Sequence, residues 1–217
     1  MQHAYKPILD ADTYLSGEVD GDIRHEFVDG EVYAMAGAGH AHNLIALNVA
    51  ARLRGLARGG PCRVFISDMK VRVAQWNAFY YPDVMVVCNP ADAQTYYKES
   101  PSLIVEVSSP STESIDRREK LLAYRTLASL REYVLIAQDK RQADLWRRAD
   151  DGSWHAKTII CRPGLVVKRF VVKVIKQGGH TRKQGHGHDR IFAPSIAFDK
   201  LDTRHLYAPP RGATAST

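Results

Sequence analysis

Two short apolar segments, each carrying a single acid, constrain this chain more than any other feature. Residues 84–87 (Val-Met-Val-Val) follow Pro82 and Asp83, and residues 103–107 (Leu-Ile-Val-Glu-Val) enclose Glu106. A continuous apolar run of this length is typical of a strand that is covered on both faces. A carboxylate buried in such a strand costs free energy unless it is paired or binds a metal. Both acids are therefore candidate site residues.

A predicted helix with a lysine follows the second acidic strand. The polar run Ser-Ser-Pro-Ser-Thr at residues 108–112 offers capping side chains for a helix over about residues 113–127, which includes Lys120. If the two strands are neighbours, Asp83 and Glu106 converge on one hard cation, since Mg²⁺ is held by one or two carboxylates together with water and phosphate oxygens. Lys120 would then offset negative charge that develops on a phosphate.

Each of these three residues also has a purely structural interpretation. The first acid could be a strand-edge turn residue, the second could pair with a nearby arginine, and the lysine could pair with an acid one helical turn earlier. The residues concerned are Asp83 alone, Glu106 with Arg63 or Arg72, and Lys120 with Asp116. The order acid, acid, lysine on this pattern of elements favours a site over three separate structural roles.

The remaining pattern predicts an α/β or α+β fold. A short helix or turn ends near Gly17, and Asp29-Gly30 between apolar dipeptides predicts a type I′ hairpin over residues 24–35. A helix over residues 43–58 precedes strands at 63–73, 80–87, 103–107 and 133–138, and a strand meander follows at 144–160. The strand–helix–strand unit at 103–138 favours a parallel pair. We expect a central mixed β-sheet flanked by helices, with an N-terminal hairpin and C-terminal strands.

The positive charge of the chain is concentrated in one segment. The formal net charge is +6, and residues 161–190 hold eight Lys and Arg residues against one acid, so the rest of the chain is close to neutral. We interpret residues 165–190, rich in Gly, His, Lys and Arg, as a basic, mobile insertion. It is either a solvated loop or a segment that holds phosphates by salt-dependent contacts.

The cysteines and the hydropathy pattern predict a cytoplasmic protein. Cys62, Cys88 and Cys161 are an odd and widely spaced set, which indicates reduced thiols rather than a disulfide framework. The N-terminus has no apolar signal-peptide core, and no apolar run reaches the ~18 residues of a membrane span.

Three motifs resemble a known family. They are Pro82-Asp83-Val84, residues 104–112 (Ile-Val-Glu-Val-Ser-Ser-Pro-Ser-Thr) and residues 116–124 (Asp-Arg-Arg-Glu-Lys-Leu-Leu-Ala-Tyr). Together they resemble the Uma2 family of the PD-(D/E)XK restriction-endonuclease-like superfamily. The resemblance covers about residues 8–160 and resumes at 195–207, so we expect one domain over residues 1–217.

The resemblance implies a restriction-endonuclease-like core and assigns roles to single residues. Asp83 and Glu106 would be metal ligands, and Lys120 would be the catalytic lysine. In the superfamily's usual pattern the lysine lies two residues after the strand acid, where this chain has Ser108, so Lys120 would be a lysine relocated to the helix. Glu31 matches an acidic position after the hairpin turn and is either a further site residue or a solvated acid.

The implied function is that of a cytoplasmic endonuclease that hydrolyses phosphodiester bonds of DNA with Mg²⁺, or with Mn²⁺, and a homodimer is expected. One alternative is a module on a nuclease fold that binds nucleic acid or a partner protein without cleaving. Another is a metal-dependent hydrolase of a small phosphate ester. His40 and His42, two residues apart before the 43–58 helix, are either a metal pair or ordinary histidines at a helix start.

Overall fold

The computed structural model describes residues 9–109 and 116–160, together with the two strands Val171–Val174 and Ile196–Leu201. The other residues, which include the start of the predicted 113–127 helix and most of the predicted basic insertion and closing segment, lie outside the described part of the chain.

The N-terminal elements are a capped helix and a tight hairpin. Helix α1 (Ala11–Asp20) begins after Asp10, whose carboxylate accepts a hydrogen bond of 2.8 Å from the backbone N–H of Thr13. The predicted helix end near Gly17 was wrong, because α1 continues for another three residues and buries Glu18. Strands β1 (His25–Val28) and β2 (Glu31–Ala34) enclose a turn with positive φ at both central residues, which confirms the type I′ hairpin.

The middle of the chain contains one long helix and four short strands. They are α2 (His40–Ala57), β3 (Arg63–Ile66), β4 (Lys70–Val73), β5 (Ala78–Tyr80) and β6 (Val84–Val87). Each of the two predicted strands at 63–73 and 80–87 is thus two strands. The first breaks at a turn closed by Met69 N–H and Ile66 C=O, and the second breaks at Pro82, which has no N–H for a strand ladder.

The second half begins with β7 (Tyr97–Lys98) and β8 (Pro101–Ser108), which is buried along its whole length. A π-helical turn (Asp116–Lys120) then leads into α3 (Leu121–Arg125). Strands β9 (Glu132–Ala137), β10 (Gln142–Arg148) and β11 (Trp154–Ile160) form the predicted meander, followed by β12 (Val171–Val174) and β13 (Ile196–Leu201). Within the described ranges, no helix is both long enough and apolar enough to cross a membrane.

The strands divide between two mixed sheets and one separate pair. The first sheet has the order β2-β1-β5-β4-β7, the second has the order β11-β10-β9-β8-β6-β3, and β12 pairs with β13. Strands β8 and β9 are parallel, as predicted for the strand–helix–strand unit, and β6 is antiparallel to β8. The predicted mixed α+β class is confirmed, while the division into two sheets could not be seen in the sequence.

The helices cover opposite faces of the six-stranded sheet. Ile45, Val49 and Leu53 of α2 pack against alternate residues of β6 and β8, such as Val84 and Val105. The other face carries an aromatic cluster that joins the first sheet, α3 and β9, with Tyr80, Tyr124 and Tyr133 at its centre. Because side chains alternate along a strand, each buried strand contributes to both cores.

Two of the three cysteines form a disulfide, so the prediction of reduced thiols was wrong for them. Cys62 and Cys88 are joined across 26 residues of sequence and are both buried. Arg63 pairs with Val87 in the antiparallel β3–β6 ladder, which places the residues just beyond this pair directly opposite each other, with Cα atoms 3.9 Å apart. Only strand register brings the two thiols together.

Candidate active site

The candidate site lies where the chain passes from the first sheet into the second. Residues 81–83 join β5 of the five-stranded sheet to β6 of the six-stranded sheet. Beside this crossover, β1 pairs with β5 in one sheet and β8 pairs with β6 in the other. Side chains of β1 and β8 therefore approach the same short segment from two directions.

Asp83 and Glu106 hold each other through reciprocal contacts with the backbone. The Asp83 N–H donates to Glu106 Oε2 at 3.2 Å, and the Val107 N–H donates to Asp83 Oδ2 at 2.7 Å. Both side chains are largely removed from solvent, with 16% of the Asp83 side chain and 5% of the Glu106 side chain exposed. The two predicted ligands thus lie together at the junction, and their orientation is fixed by the ladder of β6 and β8.

Lys120 reaches the same place from the π-helical turn. Its Nζ lies 2.8 Å from Glu26 Oε1 and 3.5 Å from Glu106 Oε1, and only 10% of its side chain is exposed. The Tyr124 hydroxyl, one turn further along, donates to Glu106 Oε1 at 2.9 Å. A π-helical turn contains an extra residue and is frequent at functional sites. Here it lies where the chain presents Lys120 to the two acids.

Glu26 is a site residue that the sequence did not identify. Glu26 Oε1 accepts the Tyr81 N–H at 3.2 Å in addition to its contact with Lys120, so this carboxylate contacts both the crossover and the helix. The only available signal was strand alternation: Phe27 faces the core beside Tyr14, which directs its neighbours to the other face. The sequence does not show which element covers that face of β1, because this depends on the tertiary structure.

His42 also belongs to the site, while the metal pair, one of the two interpretations left open for His40 and His42, is not formed. His42 Nε2 lies 2.8 Å from Asp83 Oδ1, and its side chain is 19% exposed. His40 is exposed at the first residue of α2, and residues two apart on a helix do not face each other. His42, in the first turn of α2, therefore contacts the predicted metal ligand Asp83.

Glu31 lies further out on the same hairpin. It is exposed on the edge strand β2, and the Tyr33 hydroxyl donates to its Oε2 at 2.8 Å. Glu31 pairs with Val28, and Tyr33 pairs with Glu26. The hairpin therefore places Glu31 and Glu26 on the same face, as diagonal neighbours on the two strands. The acid of this hairpin that reaches Lys120 is Glu26, and a site role for Glu31 stays a prediction.

Tyrosines that border the site remain protonated. Burial raises the pKa of the Tyr124 hydroxyl well above its ordinary value, and the neighbouring Glu106 carboxylate raises it further. Burial likewise raises the pKa of Tyr80, followed by the charge of Glu119, to which its hydroxyl donates at 3.2 Å. Both hydroxyls therefore act as hydrogen-bond donors to carboxylates at neutral pH.

A second polar network supports the site from behind. Glu18 accepts hydrogen bonds from the Tyr81 hydroxyl at 2.6 Å and from the backbone N–H of His25, and its other oxygen lies 2.9 Å from the His25 ring. Burial alone would raise the pKa of Glu18, but these contacts outweigh it, so its pKa is lowered. Lys70 donates to the Tyr81 hydroxyl at 3.1 Å, and its own burial lowers its pKa. The network holds the residues next to Glu26 and Pro82.

The donor set at the junction suits a hard divalent cation. Among the described residues no three His, Cys, Asp or Glu side chains converge as a complete ligand set. Mg²⁺ does not require one, because it is usually bound through one or two carboxylates and keeps several waters. The Lys120 ammonium lies between the carboxylates of Glu26 and Glu106, and Asp83 is joined to Glu106 through its backbone N–H. A bound cation would reduce the negative charge that these three acids bring to the junction.

The structural alternatives for Glu106 are not realised. Arg63 donates to the backbone carbonyls of Gly60 and Cys62, and Arg72 contacts Glu99 at 3.1 Å. The structure thus brings Asp83, Glu106 and Lys120 together and adds Glu26 and His42. These five residues come from five separate elements: β1, α2, the β5–β6 crossover, β8 and the π-helical turn.

The fold has a counterpart among solved structures. The structure superimposes on a crystal structure described as a "putative nuclease belonging to DUF820" from Anabaena variabilis ATCC 29413, with a TM-score of 0.63, covering 92% of this chain and 97% of that one. At 11% identity this likeness shows the fold, which has the restriction-endonuclease-like arrangement of a mixed α+β core.

The family follows from the sequence comparison. The family model of Uma2, described as "Putative restriction endonuclease", matches residues 11–167, and the chain belongs to this family. Two relatives from Synechocystis sp. (strain ATCC 27184 / PCC 6803 / Kazusa) are each 35% identical. The uncharacterized protein slr1290 aligns over 79% of this chain and 93% of its own length, and the uncharacterized protein sll1609 over 68% and 85%. Family membership supports a nuclease-like function.

Proposed function

We propose that this protein is a metal-dependent endonuclease that hydrolyses phosphodiester bonds of DNA. The observation that carries the proposal is the convergence of Asp83, Glu106 and Lys120 at the junction of the two sheets. A pure binding module has no use for partly buried carboxylates at its centre, because they repel the phosphates of its ligand.

Asp83 and Glu106 are the residues that would hold Mg²⁺ or Mn²⁺. When bound, the ion supplies Lewis-acid polarisation of a phosphate oxygen and lowers the pKa of a water molecule. The protein's own contribution is to fix the two carboxylates through the Asp83 and Val107 N–H groups and to keep Tyr124 as a donor to Glu106. Such outer contacts orient metal ligands and set their affinity.

Lys120 and Glu26 form the second part of the proposed machinery. The Lys120 ammonium is held 2.8 Å from Glu26, next to the position at which a phosphate would meet the two ligands. We propose that it stabilises negative charge on the phosphate and that Glu26 keeps the ammonium oriented. His42 would position the Asp83 carboxylate through its 2.8 Å contact.

The test is nicking of supercoiled plasmid DNA with Mg²⁺, with Mn²⁺ and with EDTA. We expect metal-dependent nicking that falls by at least about 100-fold in Asp83→Asn, Glu106→Gln and Lys120→Met. Asp139→Asn, an exposed acid in the β9–β10 turn, is the matched control and should keep full activity. Glu31→Gln belongs in the same series, and an unchanged rate would remove Glu31 from the proposed site.

Three outcomes would change the assignment. Nicking that survives all three site variants would place the activity elsewhere or in a contaminant. Absence of nicking by the wild type, with retention of the same DNA on a gel, would favour the non-cleaving binding module. Release of phosphate only from small esters would favour the third candidate, a phosphoesterase.

Assembly and compartment are part of the proposal. A homodimer would allow both strands of a duplex to be cut, so linear plasmid should form at early times. The protein should also have twice the mass of one chain in solution. We propose the cytoplasm as compartment, although the Cys62–Cys88 disulfide is uncommon in reduced compartments. Alkylation of free thiols at cell lysis, followed by mass spectrometry, decides whether the bond exists there.

A further inference from the structure

Two arginines lie over one tryptophan at the end of α3, away from the site acids, and a third arginine is bonded to one of them through the backbone. Trp154, the first residue of β11, has the Arg148 guanidinium 4.8 Å from its ring centroid and the Arg125 guanidinium 5.7 Å from it. Arg131 joins them, since the Arg148 N–H donates to its carbonyl oxygen at 2.8 Å. We call Arg125, Arg131 and Arg148 the arginine cluster.

The arginine cluster has no countercharge in the described part of the chain. None of its three members lies within ion-pair distance of a described carboxylate, whereas Arg147 next to them contacts Glu132 at 2.6 Å. Burial lowers the pKa of Arg148, and the charges of Arg131 and Arg125 lower it further. A partly buried arginine beside two like charges is unfavourable unless an anion joins them, and only Arg148 of the cluster is partly buried. Guanidinium groups match the geometry of phosphate.

One member of the cluster already has a structural role. Arg148 donates to the carbonyl oxygens of Ala128 and Arg125 at 3.0 and 2.5 Å, so it caps the C-terminal end of α3. Arg125 and Arg131 are exposed and make no such cap. These two guanidinium groups are the ones available to an external ligand.

The arginine cluster lies on the same face of the six-stranded sheet as the candidate site. Trp154 packs on the aromatic cluster that contains Tyr124, and the Tyr124 hydroxyl contacts Glu106. Helix α3 connects the two places, with Lys120 just before its first residue and Arg125 at its last. At 1.5 Å per residue, these two positions are roughly 8 Å apart along the axis. Two to three nucleotides of a duplex, at about 3.4 Å each, cover that distance.

We propose that Arg125 and Arg131 bind a backbone phosphate of the DNA strand whose cleaved phosphate lies at Asp83, Glu106 and Lys120. This inference rests on the proposed function for its ligand. Trp154 supports the guanidinium planes of Arg125 and Arg148, and the Arg148 cap fixes the end of α3. The backbone bond from Arg148 to the Arg131 carbonyl holds Arg131 beside them. The contact is to phosphate, so it adds affinity without sequence preference.

The experiment measures binding of a fluorescent duplex oligonucleotide in EDTA over a range of salt concentrations. The variants are Arg125→Gln, Arg131→Gln and the double variant. The matched control is Arg54→Gln, an exposed arginine on α2, which covers the opposite face of the sheet. Thermal unfolding of each variant shows that it is folded, and Arg148 is left unchanged because its loss would uncap α3.

We expect each single variant to bind roughly tenfold more weakly. The double variant should lower the slope of log affinity against log salt by about 1 to 2. Arg125→Lys with Arg131→Lys keeps both charges and should restore most of that slope, while Arg54→Gln should match the wild type. An unchanged slope in the double variant, or an equal loss in Arg54→Gln, would overturn the proposal.

The outcome is separable from that of the proposed endonuclease. If the wild type nicks plasmid and the double variant binds DNA as tightly as the wild type, the endonuclease proposal is supported and the phosphate contact is refuted. DNA affinity that depends on the arginine cluster in a protein that never nicks supports the contact and overturns the endonuclease. Loss of affinity for an acidic protein but not for DNA would assign the cluster to a protein partner and refute the proposal.

Discussion

Replacing Lys120 with methionine removes the positive charge that Glu26 and Glu106 share. The side chains of Lys120, Glu26 and Glu106 are 10%, 16% and 5% exposed, so water compensates the two acids poorly. Breaking a buried pair by removing one partner costs about 3–5 kcal/mol, and the partial exposure of Glu26 favours the lower end. For a chain of this size about 3 kcal/mol lowers the unfolding midpoint by about 6–12 °C.

The assay is thermal unfolding followed by circular dichroism, in EDTA and in saturating MgCl₂. A divalent cation between the carboxylates replaces the lost charge, and occupancy at 100 times its dissociation constant adds about 2.7 kcal/mol. We therefore expect Mg²⁺ to recover most of the loss in Lys120→Met. Lys157→Met, an exposed lysine on β11, is the control and should leave the midpoint unchanged. Lys120→Arg keeps the charge and should fall between wild type and Lys120→Met.

A midpoint of Lys120→Met in EDTA equal to or above that of the wild type would refute the reasoning. It would mean that the two acids are compensated by other groups or are protonated in the folded state. If the midpoint of Lys120→Met falls as expected in EDTA but does not recover in Mg²⁺, the ion pair is supported and the assignment of a metal to this junction is contradicted.

Three further predictions test single contacts in the structure. Tyr124→Phe removes the buried donor to Glu106 and should lower the free energy of unfolding by about 1.5–3 kcal/mol in urea titrations, with a larger loss in EDTA than in Mg²⁺. Cys88→Ser opens the bond to Cys62, so it should cost about 2–4 kcal/mol under oxidising conditions and nothing in excess reductant, as chemical unfolding in both conditions would show. Because the pKa of Glu18 is lowered below 4.5 in the folded state, its contribution is complete above that value and lost as pH falls through the folded pKa. The free energy of unfolding should therefore fall less steeply between about pH 6 and pH 3 in Glu18→Gln than in the wild type. An unchanged pH dependence would contradict this assignment.

The sequence predicted the elements that depend on local patterns. The Asp29-Gly30 turn requires positive φ at two adjacent residues and was placed correctly, and the buried β8 followed from its uninterrupted apolar residues. Elements that end for tertiary reasons were misplaced. Helix α1 runs through Gly17, where Glu18 accepts a hydrogen bond from Tyr81 of the β5–β6 crossover.

By itself, the sequence identified Asp83, Glu106 and Lys120 as candidate site residues. The reason is that a carboxylate in a buried strand costs free energy unless it is paired or binds a metal. Tertiary structure alone decided that Glu26 completes the pair with Lys120, that His42 contacts Asp83 and that Cys62 meets Cys88. These contacts depend on which strands are neighbours and on their register, and one residue of slip would turn each side chain to the other face. Local periodicity carries no information about that choice, which is made by the packing of the two sheets at Pro82.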